Sequence, residues 1–471
     1  MMCEEGSEVS VMKRLFRGVF VRSVLVLTVA FTGAQGWFEE CARALELAPG
    51  VMLDGQFRPR LEFDGRDFDA DTPLDQYATF RTRLGFTLTD IVPNTIGYLR
   101  LSDSRSMGFT DPYNTGRPSP PNRQDTNLGA VEVWLELHDL GFPGSFFKIG
   151  RQDNNQGGER LIGPGDWQHT GPRTFDGLRL GYRGEPVKLA LWHFYGKNGD
   201  RHWYADQDEL PQKYKVPGDD EDFTRDHTMT GFDLRLLADT VQLLYYLDRD
   251  AKQVQVTGRS ATNDAWFRHT AAVYGEYLTK KTWRTEGGFA SRGTASYQFG
   301  TLGRAEGEAD ISAWLLLGQV SYALPVPTTP WLGLTLDLTS GDAGTDPAKE
   351  HSFNDDYHSK HQYRGHMDLF SDPTSEPISL GMLDLVATVG WQPLKQVSLQ
   401  LDTHLFRTGE AYASRIDQSS QHVLGVEFDL LSRYVIQKGL EVGVGGCVFL
   451  PSEEWQGDRA AFQYTTLNYV F

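Results

Sequence analysis

Cysteine is scarce: three in 471 residues, at positions 3, 41 and 447, too few and too scattered for a disulfide framework or a cysteine-based metal site. Long apolar runs are lacking as well. Beyond residue 50 no stretch approaches the roughly 20 apolar residues that a membrane-crossing helix needs. With 39% hydrophobic residues and a mean hydropathy of −0.42, a helical membrane bundle is excluded. Positive charge is in deficit, with 45 Lys and Arg against 63 Asp and Glu. The resulting net charge of −18 argues against a nucleic-acid partner, which would require a basic face. No Pro/Ser-rich linker, charge run or low-complexity stretch interrupts the chain after residue 50, which favours one large domain. Signatures of the G-x-S-x-G, H-E-x-x-H and P-loop kinds are missing, so no enzyme class is indicated.

What is there begins with a leader. Lys13, Arg14, Arg17 and Arg22 precede the apolar run Val24 to Ala34, and Ala42-Arg43-Ala44 offers the small residues of a cleavage site. This predicts a secretory signal over residues 1–44, with Met12 as an alternative start, and a mature domain over 45–471. Cys3 and Cys41 fall within that leader; cleavage near Gly36 would instead retain Cys41.

The mature chain alternates apolar and polar residues at period two, so each strand would turn one face to something greasy and the other to water. Leu53, Phe57, Leu61 and Phe63 share one face, and Asp54, Arg58, Arg60 and Glu62 the other. Further on, Phe80, Leu84, Phe86 and Leu88 alternate with Thr79, Arg81, Arg83 and Thr87. Continued along the chain, the pattern predicts eighteen strands near 51–63, 77–90, 94–103, 128–139, 145–152, 175–183, 187–195, 229–237 and 240–249, then 268–278, 282–291, 311–322, 331–340, 382–391, 396–406, 421–431, 438–449 and 460–470.

Short connections such as 91–93, 184–186, 238–239 and 392–395 alternate with long ones at 104–127, 153–174, 196–228, 250–267, 292–310 and 341–381. The expected fold is therefore all-β: a transmembrane antiparallel up-and-down barrel of about eighteen strands. It would have short periplasmic turns, long extracellular loops and both termini periplasmic in a bacterial outer membrane. The last strand ends on Leu467, Tyr469 and Phe471, an aromatic terminus of the outer-membrane barrel kind, and Tyr77, Tyr182, Trp331, Trp391 and Tyr469 would suit interfacial girdles. A secreted propeller is the soluble alternative, but a shared repeat of 40 to 50 residues is not found.

The segment Gly150 to Tyr182, GRQDNNQGGERLIGPGDWQHTGPRTFDGLRLGY, resembles the signature of the alginate export porin family. Residues 337–370, DLTSGDAGTDPAKEHSFNDDYHSKHQYRGHMDLF, resemble the same family's later loop. The resemblance implies an eighteen-stranded outer-membrane channel that passes an anionic polysaccharide outward, with outer-membrane lipid and periplasmic export machinery as partners. Alginate exporters of this type have a long turn before the penultimate strand, whereas Leu431 to Gln437 is short here.

If the apolar face meets lipid, parity places Arg58, Arg60, Arg81, Arg83, Arg100, Arg179, Arg183 and Arg235 in the lumen, where guanidinium groups would offer exchangeable paired donors to a sliding polyanion. The alternative is that each pairs with a lumen acid and stiffens the wall. Glu132, Glu136, Asp233, Asp337, Asp384, Asp402, Glu427, Asp429 and Glu441 share that parity, giving a mixed lumen that would also suit an uptake porin for small sugars or organic acids. A lumenal hydrolase using Asp402/His404 or Glu427/Asp429 is a remote alternative without a placed nucleophile.

The loop at 341–381 is long enough to fold inward and line a constriction with His351, His361, Tyr363, Arg364 and His366. In the signature segment, Arg151, Glu159, Arg160, Asp166 and Trp167 stand out, with an Arg–carboxylate anchor favoured over substrate binding. Trp167 and Trp203 could stack on sugar rings or pack locally. No cofactor is indicated, although Asp219 to Asp222 and Asp355-Asp356 offer oxygen ligands for Ca²⁺ without ordered spacing.

Overall fold

A computed structural model of the protein describes residues 44–69, 72–107, 126–167, 173–195, 227–250, 265–304, 307–370 and 377–471. The expected leader, Trp203 and Asp219 to Asp222 lie outside the described residues. Strand β1 (Val51–Gly65) is followed by β2 (Asp75–Thr89), β3 (Thr95–Met107), β4 (Thr126–His138), β5 (Ser145–Gln152), β6 (Phe175–Arg183), β7 (Val187–Tyr195), β8 (His227–Leu236) and β9 (Val241–Asp250). The second half comprises β10 (Trp266–Leu278), β11 (Gly288–Arg304), β12 (Gly307–Ala323), β13 (Trp331–Thr339), β14 (Met382–Leu394), β15 (Val397–Ala413), β16 (Ser420–Gln437), β17 (Leu440–Pro451) and β18 (Ala460–Val470). Each pairs antiparallel with its neighbours, and β1 pairs with β18 from Gln56↔Val470 to Gly65↔Ala461. The ring of eighteen strands is closed, so its backbone donors and acceptors are matched without a free edge.

At the seam the terminal Phe471 exchanges backbone hydrogen bonds with Gly55 at 3.0 and 3.1 Å. Its ring lies where a side chain on Gly55 would be, since a Cβ there would stand 2.4 Å from the ring. A side chain at residue 55 would displace the Phe471 ring from this place.

Alternation sorts the side chains as a barrel in lipid requires. On β13, Leu332, Leu334 and Leu336 point outward and are exposed, whereas Trp331, Asp337 and Thr339 point inward and are buried. The same holds for Leu84 and Leu88 against Arg81 and Arg83 on β2, and for Leu401 against Asp402 and His404 on β15.

Three expectations change. The segment expected to form a strand at 282–291 is instead a helical turn, α1 (Trp283–Glu286), followed by β11, so the expected loop at 292–310 is mostly two seventeen-residue strands joined through residues 305–306. Tyr77 and Trp331 do not belong to an interfacial girdle: both face inward, and the Tyr77 hydroxyl donates to Glu62 at 2.6 Å. Tyr182 and Trp391 do face outward. Leu431 to Gln437 is part of β16, leaving residues 438–439 to connect to β17.

The lumen is not an empty tube. The described parts of the connections 153–174 and 340–381 fold inward and pack on both walls. Leu161, Ile162, Phe353 and Tyr363 join Trp192, Phe194, Leu244 and Leu315 in one apolar cluster. Met367, Phe370, Ile378 and Leu380 join Phe406, Phe449 and Phe462 in another. Because β13 ends at Thr339, Lys349–Glu350 of the second loop runs parallel to Asp310–Ile311 of β12 and covers its exposed edge.

The inside–outside assignment is testable on β13. Leu334→Arg is expected to lower the stability of the barrel folded into vesicles by roughly 2–4 kcal/mol, the cost of a cation facing the middle of the bilayer. Thr335→Arg, pointing into the lumen, is expected to cost far less; equal losses in urea unfolding would contradict the assignment.

Candidate functional site

All eight lumen arginines point inward, and they divide into two groups. Arg58, Arg60, Arg81 and Arg83, from adjacent strands β1 and β2, converge on one turn of the inward loop. Arg58 donates to the Asp166 carbonyl at 3.1 Å and the Trp167 carbonyl at 2.9 Å. Arg60 donates to the Trp167 carbonyl at 3.1 Å, pairs with Glu62, and lies 4.6 Å from the centre of the Trp167 ring. Arg81 donates to the Asp166 carbonyl at 2.8 Å, stands 3.3 Å from its carboxylate, and reaches Gln56 at 2.9 Å. Arg83 donates to the Asp166 carboxylate at 2.6 Å. Among the described residues, two carboxylates, Asp166 and Glu62, face these four guanidinium groups. Asp166 itself remains about half exposed, with 45% of its side chain accessible.

Of the other four, three are matched one to one by carboxylates. Arg100 meets Glu132 at 2.8 Å, Arg183 meets Glu136 at 2.8 Å, Arg235 meets Asp233 at 3.0 Å, and Arg179 donates to Asn154 at 2.6 Å. The three carboxylate pairs stiffen the wall and contribute little net field, whereas the partner of Arg179 is neutral.

The loop that brings Asp166 to the arginines turns on Gly157 and Gly158, both at φ +61°, a left-handed conformation that costs glycine least. Two residues later Arg160 is fully buried. It forks onto Asp337 of β13 at 2.8 and 3.0 Å and onto Asp355 of the second loop at 3.1 Å. Burial opposes its charge, but the two carboxylates outweigh that cost and hold the guanidinium firmly protonated. Asp355 also takes Arg364 at 2.7 Å. Burial would raise the Asp355 carboxyl, yet Arg364, His358 and Arg160 together hold it well below the usual carboxylate range. With two arginines on Asp355, and Asp356 receiving the Asn354 amide at 3.0 Å, this pair is not arranged as a Ca²⁺ ligand set.

Further contacts bind the two loops into one plug. Ser359 donates to Glu159 at 2.8 Å, Tyr363 donates to the Gly158 carbonyl at 2.6 Å, and Gly163 N–H donates to the Tyr357 carbonyl at 2.7 Å. His361 stacks face to face on Trp167 with centroids 3.9 Å apart, so Trp167 is held between an imidazole and the Arg60 guanidinium. His361 also meets Asp368 at 3.2 Å and His366 at 2.6 Å. Burial depresses its pKa from 6.5 to about 4, despite the opposing pull of Asp368. His351 lies at the loop's outer stem, 3.0 Å from the Ser312 carbonyl.

The acidic wall, whose role sequence reasoning left open, holds the plug from the other side. Glu427 accepts the Met367 N–H at 3.0 Å and Asp429 accepts the His366 N–H at 3.1 Å, while Asp384 meets His404 at 3.0 Å. Sequence reasoning also missed Tyr357, whose hydroxyl meets His227 at 2.8 Å, and Arg173, which donates to the Asp356 carbonyl at 2.8 Å. Arg151 is a correction: it lies on the outward face of β5, bonded to Asp176 at 2.7 Å, and takes no part in the inward loop.

Residues 53–459 match the family model described as alginate export. No curated protein matches the chain. Among solved structures, the chain is similar to Acinetobacter baumannii OccAB1 at 10% identity and a TM-score of 0.56, covering 92% of this chain and 99% of that one. It is also similar to Pseudomonas aeruginosa OpdK, solved with vanillate, at 13% identity and a TM-score of 0.52, covering 91% and 100%. At such identities the likeness is one of fold, that of the outer-membrane porins.

Two outcomes follow from this geometry. Arg160→Leu leaves Asp337 and Asp355 buried without their shared cation, and is expected to weaken plug docking by about 3–5 kcal/mol. Protease cleavage within 153–174 and a raised single-channel conductance would report it; an unchanged pattern would show that the anchor is dispensable. His361 is neutral when docked, so its contribution is complete above pH 6.5 and is lost as pH falls through about 4. Conductance is expected to rise over that interval, and less so in His361→Phe, which keeps the stack but cannot titrate.

Proposed function

The chain belongs to the alginate export family, and from that premise we propose that it is an outer-membrane channel passing an anionic polysaccharide through the lumen along the β1–β2 arginines. The observation that carries this reading is that the arginine wall already coordinates a carboxylate. Arg81 and Arg83 hold the side chain of Asp166 while Arg58 and Arg60 grip the adjoining carbonyls. A uronate carboxylate offers the same acceptor oxygens, and a planar guanidinium fork suits it. Four closely spaced guanidinium groups let a passing polyanion be exchanged from one donor to the next. In this reading the N-terminal segment is an export signal and both ends of the mature chain are periplasmic.

A second reading, an uptake porin for small sugars or organic acids, draws on the charge-matched pairs of Arg100, Arg183 and Arg235, which resemble a polar filter more than an anion rail. One structure of like fold, OpdK, was solved with vanillate.

Planar bilayer recording separates the two. An export channel is expected to favour anions and to be blocked by polyuronate. Arg81→Gln together with Arg83→Gln should weaken that block roughly tenfold, which corresponds to about 1.4 kcal/mol. Cation selectivity, or a block indifferent to the double variant, would overturn the export reading. Liposome swelling in small acids without any polymer block would favour the second.

A further inference from the structure

Below the plug, toward the end of the barrel that carries the termini, a cavity of about 430 Å³ lies between α1, the start of β11, the underside of the second loop and the walls of β14 and β15. It is remote in sequence and in wall position from the β1–β2 arginines. That volume is in the range of small-molecule sites.

Its lining carries charge of both signs: Glu276 on β10, opposite Arg292, is part of it, as are Asp337, taken by Arg160, and Asp384, taken by His404. Arg284 on α1, Arg292 on β11 and Arg364 on the plug contribute three guanidinium groups. Among the described residues, no carboxylate pairs with Arg284 or Arg292. Arg284 lies over the rings of Trp283 and Trp331 at 5.1 and 5.8 Å, and Arg292 is engaged by the Gln362 amide at 3.1 Å. Arg364 spends one nitrogen on Asp355, while its Nε and Nη1 are buried without a partner. A buried N–H left unmatched costs on the order of 1–3 kcal/mol, so donors in this state favour an arriving acceptor.

Across the cavity, Asp402 is held in place by the Thr388 hydroxyl and the Gln400 amide, each at 2.6 Å. Those two donors leave the carboxylate with acceptor capacity to spare. A ligand spanning the cavity would therefore meet donors for an anionic group on one side and an acceptor for hydroxyl groups on the other. Neither a simple anion nor a neutral sugar satisfies both.

We propose that this cavity is a binding site for a single hexuronate unit, with the carboxylate toward Arg284 and Arg292 and ring hydroxyls toward Asp402. The choice of a uronate rests on the polyuronate reading given above, whereas the requirement for a hydroxylated anion comes from the cavity alone. The unit can be a free acid or the end of a chain, and both present the same groups.

Calorimetric titration of the full-length protein in detergent tests it, using glucuronate, glucose, acetate and a uronate tetramer. Glucuronate is expected to bind at least fivefold more tightly than acetate, with no heat from glucose. Arg284→Gln with Arg292→Gln should weaken glucuronate at least fivefold. Arg284→Lys with Arg292→Lys, which keeps the charges but loses the planar fork, should fall between. A tetramer that binds more tightly than glucuronate, and is equally sensitive to the double variant, would identify a chain end as the occupant. A tetramer that binds no better would identify the free acid.

Glucuronate no tighter than acetate, or unaffected by the Arg284 and Arg292 variants in a barrel that retains its heat-modifiable migration, would overturn the site. Arg81→Gln with Arg83→Gln should leave the Arg284-dependent component of glucuronate binding in place, whatever it removes at the β1–β2 wall. If that variant alone abolished it, the cavity would be refuted and the lumen pathway retained. Loss of polyuronate block with intact, Arg284-dependent glucuronate binding would refute the pathway and keep the cavity.

Discussion

The interior arrangement hangs on one buried cation. Arg160 has no access to solvent, yet it satisfies Asp337 in the barrel wall and Asp355 in the neighbouring loop together. Removing three charged groups from water is expensive, and only close, multiply bonded geometry offsets that expense. Such a contact has little tolerance for displacement, so it fixes where two long loops sit relative to each other and to β13. Asp166 and Trp167, six and seven residues further along, reach the arginine wall from this anchor. The plug thus has a polarity matching its surroundings: a carboxylate toward the basic wall, backbone N–H groups toward the acidic one.

Apolar packing on either side makes this arrangement affordable. Ile162 and Phe353 bury against Trp192, Phe194 and Leu315 on one wall, and Met367 and Phe370 bury against Phe406 and Phe449 on the other. Each fully buried side chain of this size contributes roughly 1.5–3 kcal/mol. Inside a shell whose outer surface is greasy, the lumen has acquired two cores of the kind found in water-soluble proteins. Between them runs a polar septum of arginine, aspartate and histidine.

Much of the shell was legible from residue alternation, because a barrel in lipid has one simple rule per strand. Arg58 and Arg60 could be placed inside from Phe57 and Leu61 beside them, and Arg81 and Arg83 from Leu84 and Phe86. The rule weakened where side chains are small: β11 carries Ser291, Gly293, Ala295 and Gly300, and its alternation is too shallow to resist a misplaced boundary. That misplacement put Arg292 in a loop. Tyr77 and Trp331 resemble girdle residues in type and position, although Tyr77 shares parity with Thr79 and Arg81. What the arginines touch was not legible at all, since Asp166 comes from a loop 83 residues beyond Arg83 and its approach depends on tertiary anchoring. The signature segment did mark Arg160, Asp166 and Trp167, but motif residues alone do not say which of them meets the wall and which meets the other loop.

The unequal lengths of the strands have a geometric consequence. β11 and β12 run for 17 residues each and β16 for 18, while β5 to β9 run for only eight to ten. At about 3.4 Å per residue and a tilt near 45°, a 17-residue strand rises roughly 40 Å, against a hydrocarbon-facing band of about 25 Å. The described parts of β5 to β9 rise roughly 19–24 Å, about the height of that band. The wall therefore stands tall over β11–β12 and β15–β16, and a long flexible molecule leaving the lumen there would have to climb past a polar rim well beyond the bilayer core.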